Sequence, residues 1–303
     1  MHLLLIRHGE SVDNVAGLYA GSRDSPLTSH GVLQARRLGS HLATRRDEIG
    51  LLRFMFTSNL QRAFHTAEAI ASAQPSLSSE GFDSRAPVEV TRLAELREKD
   101  FGSSEGKKYG AKAGNNIVST AQSDSESREA MKIRIDQFLD VHLNPIIDKH
   151  VSENITVVVV AHGIILNVLL SALVGRFPAK RNSPQSGRQD GGSEVFAAWS
   201  NTGVLQARLE LDESRSALDI SGHSHSTALE TFKEPQSCLD TNVPPHPRIS
   251  SMTVDFTNNL DHLQGLKKTK GGIGSVKYDS RQRTMDSFFK PASKKRKLEE
   301  VQD

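Results

Sequence analysis

Apolar residues gather in short runs separated by polar stretches, and the runs differ in kind. Residues 2–6 (HLLLI) predict a short buried strand that ends at Arg7-His8-Gly9. Residues 52–56 predict a second strand leading into Thr57-Ser58, and residues 88–90 a third. Residues 154–161 (NITVVVVA) form the strongest run, without alternation, as expected for a strand covered on both faces. Helical patterns lie between the runs. After Thr28-Ser29-His30-Gly31, the residues Val32, Ala35, Leu38 and Leu42 recur at spacings of three and four. Further helices are predicted over 59–71, over 129–148 (with Met131, Ile135, Phe138, Leu139 and Val141 apolar) and over 164–173. Residues 195–211 predict paired strands around Asn201-Thr202-Gly203. Strands alternating with helices imply the α/β class, a layered α/β/α sandwich around a mostly parallel sheet.

The pattern fades near residue 230. Residues 1–230 therefore predict one globular domain and residues 231–280 a flexible linker, with one weak amphipathic patch at Leu260, Leu263 and Leu266. Residues 281–303 predict a charged, disordered extension. The composition agrees: 36% apolar and 5% aromatic residues supply one core plus a stretch too polar to bury. A lone cysteine, Cys238, excludes an intrachain disulfide framework and a thiolate metal cluster. No apolar run approaches the roughly 18 residues of a membrane span, so a soluble intracellular protein without a membrane partner is expected. The net charge of +2 belongs to the extension, because residues 281–303 hold seven Lys/Arg against four acids. The other 280 residues hold 31 basic and 32 acidic groups, which argues against a body that binds nucleic acid directly.

Two His-Gly pairs each follow a predicted strand: His8-Gly9 after HLLLIR and His162-Gly163 after VVVVA. In open α/β sheets ligands bind beyond the carboxyl ends of strands, so both histidines are expected in one crevice. The helix starting near Ile164 is expected to aim its N-terminal N–H groups there, as an anion site. Arg7 and Arg62 are further cations within reach. Either histidine alone is as readily a satisfied core residue.

Arg7-His8-Gly9-Glu10-Ser11 with Asn14 resembles the signature of the histidine phosphatase superfamily, which includes the cofactor-dependent phosphoglycerate mutases. The likeness continues through Asp24-Ser25-Pro26-Leu27-Thr28 with Gly31 and Gln34-Ala35, then Thr57-Ser58-Asn59-Leu60-Gln61-Arg62-Ala63 with Thr66. It closes with Leu96 to Gly102, Glu105-Gly106 and Ala161-His162-Gly163. The resemblance implies a phosphoglycerate mutase-like fold and catalysis by His8, which attacks phosphorus to give a phosphohistidine. It implies catalytic roles for Arg7, Arg62 and His162, and for Glu98 as general acid, with Glu95 as the weaker candidate. Asn14, Gly21, Ser22 and Gly163 would join Arg7, Arg62 and His162 in holding the phosphate. Cationic guanidinium and imidazole groups can stabilise a phosphoryl dianion, so no metal and no cofactor is expected. The segment Asp100 to Gly106 looks like the phosphatase branch. The one tryptophan, Trp199, lies far from the insertion in which mutases of this superfamily usually carry theirs.

The extension resembles something else. Gln282, Met285, Phe288 and Phe289 match the four fixed positions of the PIP box, the peptide that holds the sliding clamp PCNA. At spacings of three and four the last three lie on one face of a single helical turn, an apolar plug for a hydrophobic groove. Lys294-Lys295-Arg296-Lys297 read as a nuclear localisation signal for an import receptor. A nuclear and also cytoplasmic enzyme is expected, acting on a phosphorylated small molecule or phosphoprotein. The plug is expected to ride on a linker of about fifty residues, with an end-to-end distance of about 35–42 Å. Two alternatives stand beside this expectation: a metabolic mutase or sugar-bisphosphatase, and a non-catalytic clamp-binding protein on a phosphatase fold.

Overall fold

The computed structural model describes residues 1–74, 88–110, 124–177, 196–211, 249–268 and 273–279. In chain order its elements are β1 (His2–Arg7), α1 (Val12–Ala16), α2 (Ser29–Thr44), α3 (Arg46–Ile49), β2 (Leu51–Ser58), α4 (Gln61–Ser72) and β3 (Val90–Leu93). Then follow α5 (Arg128–Phe138), α6 (Asn144–His150), β4 (Ile155–Ala161), α7 (Gly163–Arg176), β5 (Val204–Leu211) and β6 (Ile249–Asn259). The strands form one sheet in the order β3-β2-β4-β1-β5-β6. Strands β1 to β4 run parallel, while β5 and β6 close one side antiparallel.

The parity of the central strands explains the layers. Leu3, Leu5, Val157 and Val159 face α5 to α7, whereas Leu4, Ile6, Val158 and Val160 face α2 and α4, all fully buried. An unbroken apolar run is what two covered faces demand. Helix α2 starts where the Thr28 hydroxyl accepts from the Gly31 N–H, and it buries Ala35, Leu38 and Leu42. The single helix predicted over 129–148 passes through one π turn, Leu139–Leu143, just before Pro145, which cannot donate to the helical ladder.

Two expectations are corrected. Residues 196–203 form no strand; they make a turn that delivers the chain to β5, which pairs with β1 and β6. Nor is 231–280 a linker throughout, because β6 lies inside it and pairs with β5 along its length. The signal was period-two alternation at Met252, Val254 and Phe256, diluted by polar residues as an edge strand allows. A register shift at Asp255 sends Phe256 to the α2/α4 face, while Met252 and Val254 stay on the other. Residues 273–279 also dock on the body. Ser29 donates to the Val276 carbonyl (3.0 Å) and Tyr278 to that of Leu27 (3.1 Å). The folded body thus reaches Asp279. The PIP-like residues Gln282, Met285, Phe288 and Phe289 and the basic run Lys294, Lys295, Arg296 and Lys297 lie outside the described residues.

Candidate active site

Strands β1 and β4 lie side by side with Arg7 opposite Ala161, so the residues that follow them are brought together. His8 and His162 stand with ring centroids 5.0 Å apart, both buried. From β2, on the other side of β4, the chain turns into α4 and presents Arg62 to the same place. Arg62 is 1% exposed. Its Nε donates to His162 Nδ1 (3.2 Å), and its other nitrogens donate to the carbonyls of Ala20, Gly21 and Arg23.

These contacts settle both imidazole tautomers. His8 Nδ1 faces the Gly9 carbonyl at 2.7 Å, which can only accept, so Nδ1 carries the proton and Nε2 the lone pair. His162 Nδ1 accepts from Arg62, so its proton sits on Nε2. Among the described residues that Nε2 is buried without a partner, and so is Arg7 Nε. Buried donors that lack a partner, on His162 beside the His8 ring and on the neighbouring Arg7, suit an anion.

Burial first, and then the charges of Arg62 and Arg7, hold His8 well below the usual imidazole range. His162 is lowered in the same way by burial, Arg62 and His8. Burial also lowers Arg62, to about 10, so it remains a cation. His262, which does not line the cleft, is lowered to about 4, by burial and then by His41. Each histidine takes a proton near pH 6.5 when unfolded but stays neutral when folded at that pH. Below about 6.5 the unfolded chain therefore binds more protons and stability falls, by up to about 1.4 kcal/mol per pH unit for each such proton. Thermal melts between pH 7 and 5 should show the midpoint dropping as pH falls; a flat profile would contradict these environments.

Glu98 lines the cleft with Arg7, His8, Asn14 and Gly163. Its Oε1 accepts from Lys99 N (2.9 Å) and Ile165 N (3.1 Å), and its Oε2 from Ile164 N (3.1 Å), which leaves one lone pair on Oε2. The amides at the start of α7, expected to hold the ligand, therefore hold Glu98. Glu95 does not line this cleft. Asn14, which also lines the cleft, accepts at Oδ1 from Ser11 N and Asn201 Nδ2.

A second expectation changes. The N–H groups of Gly21 and Ser22 do not face the cleft, because Glu105 takes them at 3.0–3.1 Å, together with those of Arg23 and Phe101. This loop's role is indirect: its carbonyls hold Arg62. A Cβ on Gly21 would collide with the Lys99 carbonyl, so only glycine fits there.

The sequence reading missed the turn at 199–203. The Trp199 carbonyl accepts from Arg7 (2.7 Å), and Asn201 Nδ2 reaches both the His8 carbonyl and Asn14. Thr202, at φ 57°, donates its N–H to the carbonyls of Arg7 and His8. Strand β6 and the turn after it hold this segment in place, since Asn258 Oδ1 accepts from Ser200 N (2.8 Å) and His262 Nε2 meets Thr202 Oγ1 (2.9 Å). Asn-Thr-Gly was legible as a turn, but its partner across the sheet was not. Among the described residues no group of three or more His, Cys, Asp or Glu side chains converges as a metal site would require.

Comparison with known proteins matches residues 3–188 to a family described as the histidine phosphatase superfamily, branch 1. Over 288 residues the chain is 28% identical to a Schizosaccharomyces pombe protein described as "Probable phosphatase", covering 94% of this chain and 78% of that one. It is 29% identical over 183 residues to a 2,3-bisphosphoglycerate-dependent phosphoglycerate mutase of Bartonella tribocorum, covering 57% and 81%. A solved mycobacterial hydrolase shares the fold, with TM-score 0.52 and 18% identity over 85% of this chain and 90% of that one.

Proposed function

The chain belongs to the histidine phosphatase superfamily, and from that membership we propose that it hydrolyses a phosphate monoester through a phosphohistidine on His8. The observation that carries this reading is the pair of opposite tautomers. His8 offers a lone pair at Nε2, and His162 offers a proton at Nε2 to the phosphoryl group that the lone pair attacks. Arg7 Nε, the amide of Asn14 and the charge of Arg62 surround the same phosphoryl oxygens. Attack forms the N–P bond as the ester P–O bond breaks, and Glu98 Oε2 delivers a proton to the leaving oxygen. Water then attacks phosphorus, giving its proton to Glu98 and freeing His8 and inorganic phosphate.

A phosphatase is favoured over a mutase by the likeness to the protein described as a probable phosphatase, which spans 94% of this chain, whereas the likeness to the mutase spans 57%. Phosphate release over a panel of monoesters, with the His8→Ala enzyme as blank and with a chelator as control, tests the proposal. Release that depends on His8 and ignores the chelator supports it. Turnover confined to 3-phosphoglycerate with 2,3-bisphosphoglycerate would replace it by the mutase reading.

We further propose that Gln282, Met285, Phe288 and Phe289 bind PCNA, and that Lys294 to Lys297 engage an import receptor, giving a nuclear as well as cytoplasmic enzyme. The match of all four fixed positions supports this. The tether is shorter than the sequence suggested. Residues 273–279 are docked on α2, and three residue steps from Asp279 to Gln282 reach at most about 11 Å. Phe288→Ala with Phe289→Ala is expected to abolish retention by immobilised PCNA, since burial of two aromatics is worth about 3–6 kcal/mol. Nuclear entry should persist. Wild-type retention by the double variant would end the clamp proposal and leave the enzyme proposal standing.

A further inference from the structure

The cleft over His8 has a volume of about 460 Å³, far more than a phosphate needs, and the part beyond the phosphate end has a definite chemistry. Its walls are Phe101, Tyr109, Met131, Val168, Phe196 and Trp199. Two of these rings are solvent-exposed and come from different segments. Tyr109 leans edge-on against Tyr19 at 4.3 Å, and Phe196 precedes the turn that holds Arg7. Exposed rings at the mouth of a pocket find their favourable contact with a planar apolar partner.

The polar groups of the cleft point the same way. A sugar or polyol presents hydroxyl donors that need acceptors, and among the described residues the amide and carboxylate acceptors are largely taken, which leaves the hydroxyls of Ser171 and Tyr109. Asn167 Oδ1 already receives the Ala197 N–H and the Trp199 indole N–H. Asn14 Oδ1 receives Ser11 and Asn201. Among the described residues Glu98 is the one carboxylate lining the cleft, and three of its four lone pairs are occupied. A polyol would find few side-chain acceptors among the described residues and so would gain little over leaving its hydroxyls in water. An aromatic group needs none.

We infer that the substrate is a monoester whose alcohol carries a planar aromatic ring, seated between Tyr109 and Phe196 while the phosphate lies at His8. This rests on the phosphatase reading above. It makes Tyr109 and Phe196 the residues that set specificity, through ring contact and without a part in the chemistry. Lys99 and Arg128 also line the cleft, so the competing occupant is a polyol with a second phosphate.

The test compares propyl phosphate with benzyl, 2-phenylethyl and 3-phenylpropyl phosphates, whose leaving groups are all primary alkoxides, and adds glycerol 3-phosphate and fructose 1,6-bisphosphate. The full-length enzyme is expected to show kcat/KM at least about tenfold higher for the best ring-bearing ester than for propyl phosphate, chiefly through KM. The ratio should collapse toward one in Phe196→Ala, whose exposed side chain can be removed without opening the core, and in Tyr109→Leu, which keeps an apolar neighbour for Tyr19. Equal kcat/KM for the ring-bearing and propyl esters, or a preference for the bisphosphate, would overturn the inference while leaving the phosphatase reading intact. Absence of His8-dependent release from every ester would overturn both.

Discussion

His8→Ala is expected to abolish phosphate release, with a loss of at least about 10⁴-fold in kcat. The reason is specific to this imidazole. Burial and the neighbouring Arg62 and Arg7 keep it unprotonated, and the Gly9 carbonyl fixes its proton on Nδ1. The lone pair on Nε2 is therefore available at neutral pH without a separate base. No neighbour can take over, because His162 Nδ1 is occupied by Arg62 and its Nε2 bears a proton. The measurement is steady-state phosphate release together with rapid acid-free quenching of the wild-type enzyme on labelled substrate. Wild type should show a base-stable, acid-labile phosphoenzyme that His8→Ala lacks. Retained turnover in His8→Ala would overturn the covalent mechanism.

Glu98→Gln is expected to lower kcat/KM by about 10²–10⁴-fold for alkyl phosphates, the range for loss of a positioned acid. For an ester with a good leaving group, such as p-nitrophenyl phosphate, the loss should be far smaller, because that oxygen departs without a proton. The dependence on leaving group is the decisive readout. The absolute loss is contaminated: a glutamine amide presents N–H to the Ile164 amide where a carboxylate oxygen accepts now, costing about 1 kcal/mol of local order. Glu95→Gln should change kcat/KM little for any ester, since Glu95 does not line the cleft. A severe Glu95 variant beside a mild Glu98 variant would reverse the assignment.

Much of the fold was legible because its signals are local. The covered strands β1 and β4 announce themselves as apolar runs, and α2 announces itself by its spacing and by the Thr28 cap. Arg7 ends one strand and His8 follows it, His162 follows another, and Arg62 lies at the start of a helix, so strand-end logic pointed to one crevice while the family resemblance supplied the roles. The errors came where one residue's partner is distant in sequence. Gly21 and Ser22 looked like phosphate donors until Glu105, more than eighty residues on, was seen to take their N–H groups. The start of α7 looked like an open anion site until Glu98 was found seated on it.

By itself the sequence determined the α/β class, the central parallel strands and the residue types at their carboxyl ends, because burial on two faces and helical periodicity are written in neighbouring residues. Tertiary structure alone decided which proton each histidine carries, since that depends on the Gly9 carbonyl for one and on Arg62 for the other. It also decided that 249–279 belongs to the body. This edge strand carries few apolar residues and borrows its hydrogen bonds from β5, so its composition resembles a linker until the partner strand is in place. The same pairing sets Asn258 and His262 against the 199–203 turn and, through it, supports the backbone of Arg7 and His8. Such support is a property of the assembled sheet, because its hydrogen bonds join residues about sixty positions apart between β6 and the turn and about two hundred apart between the turn and His8.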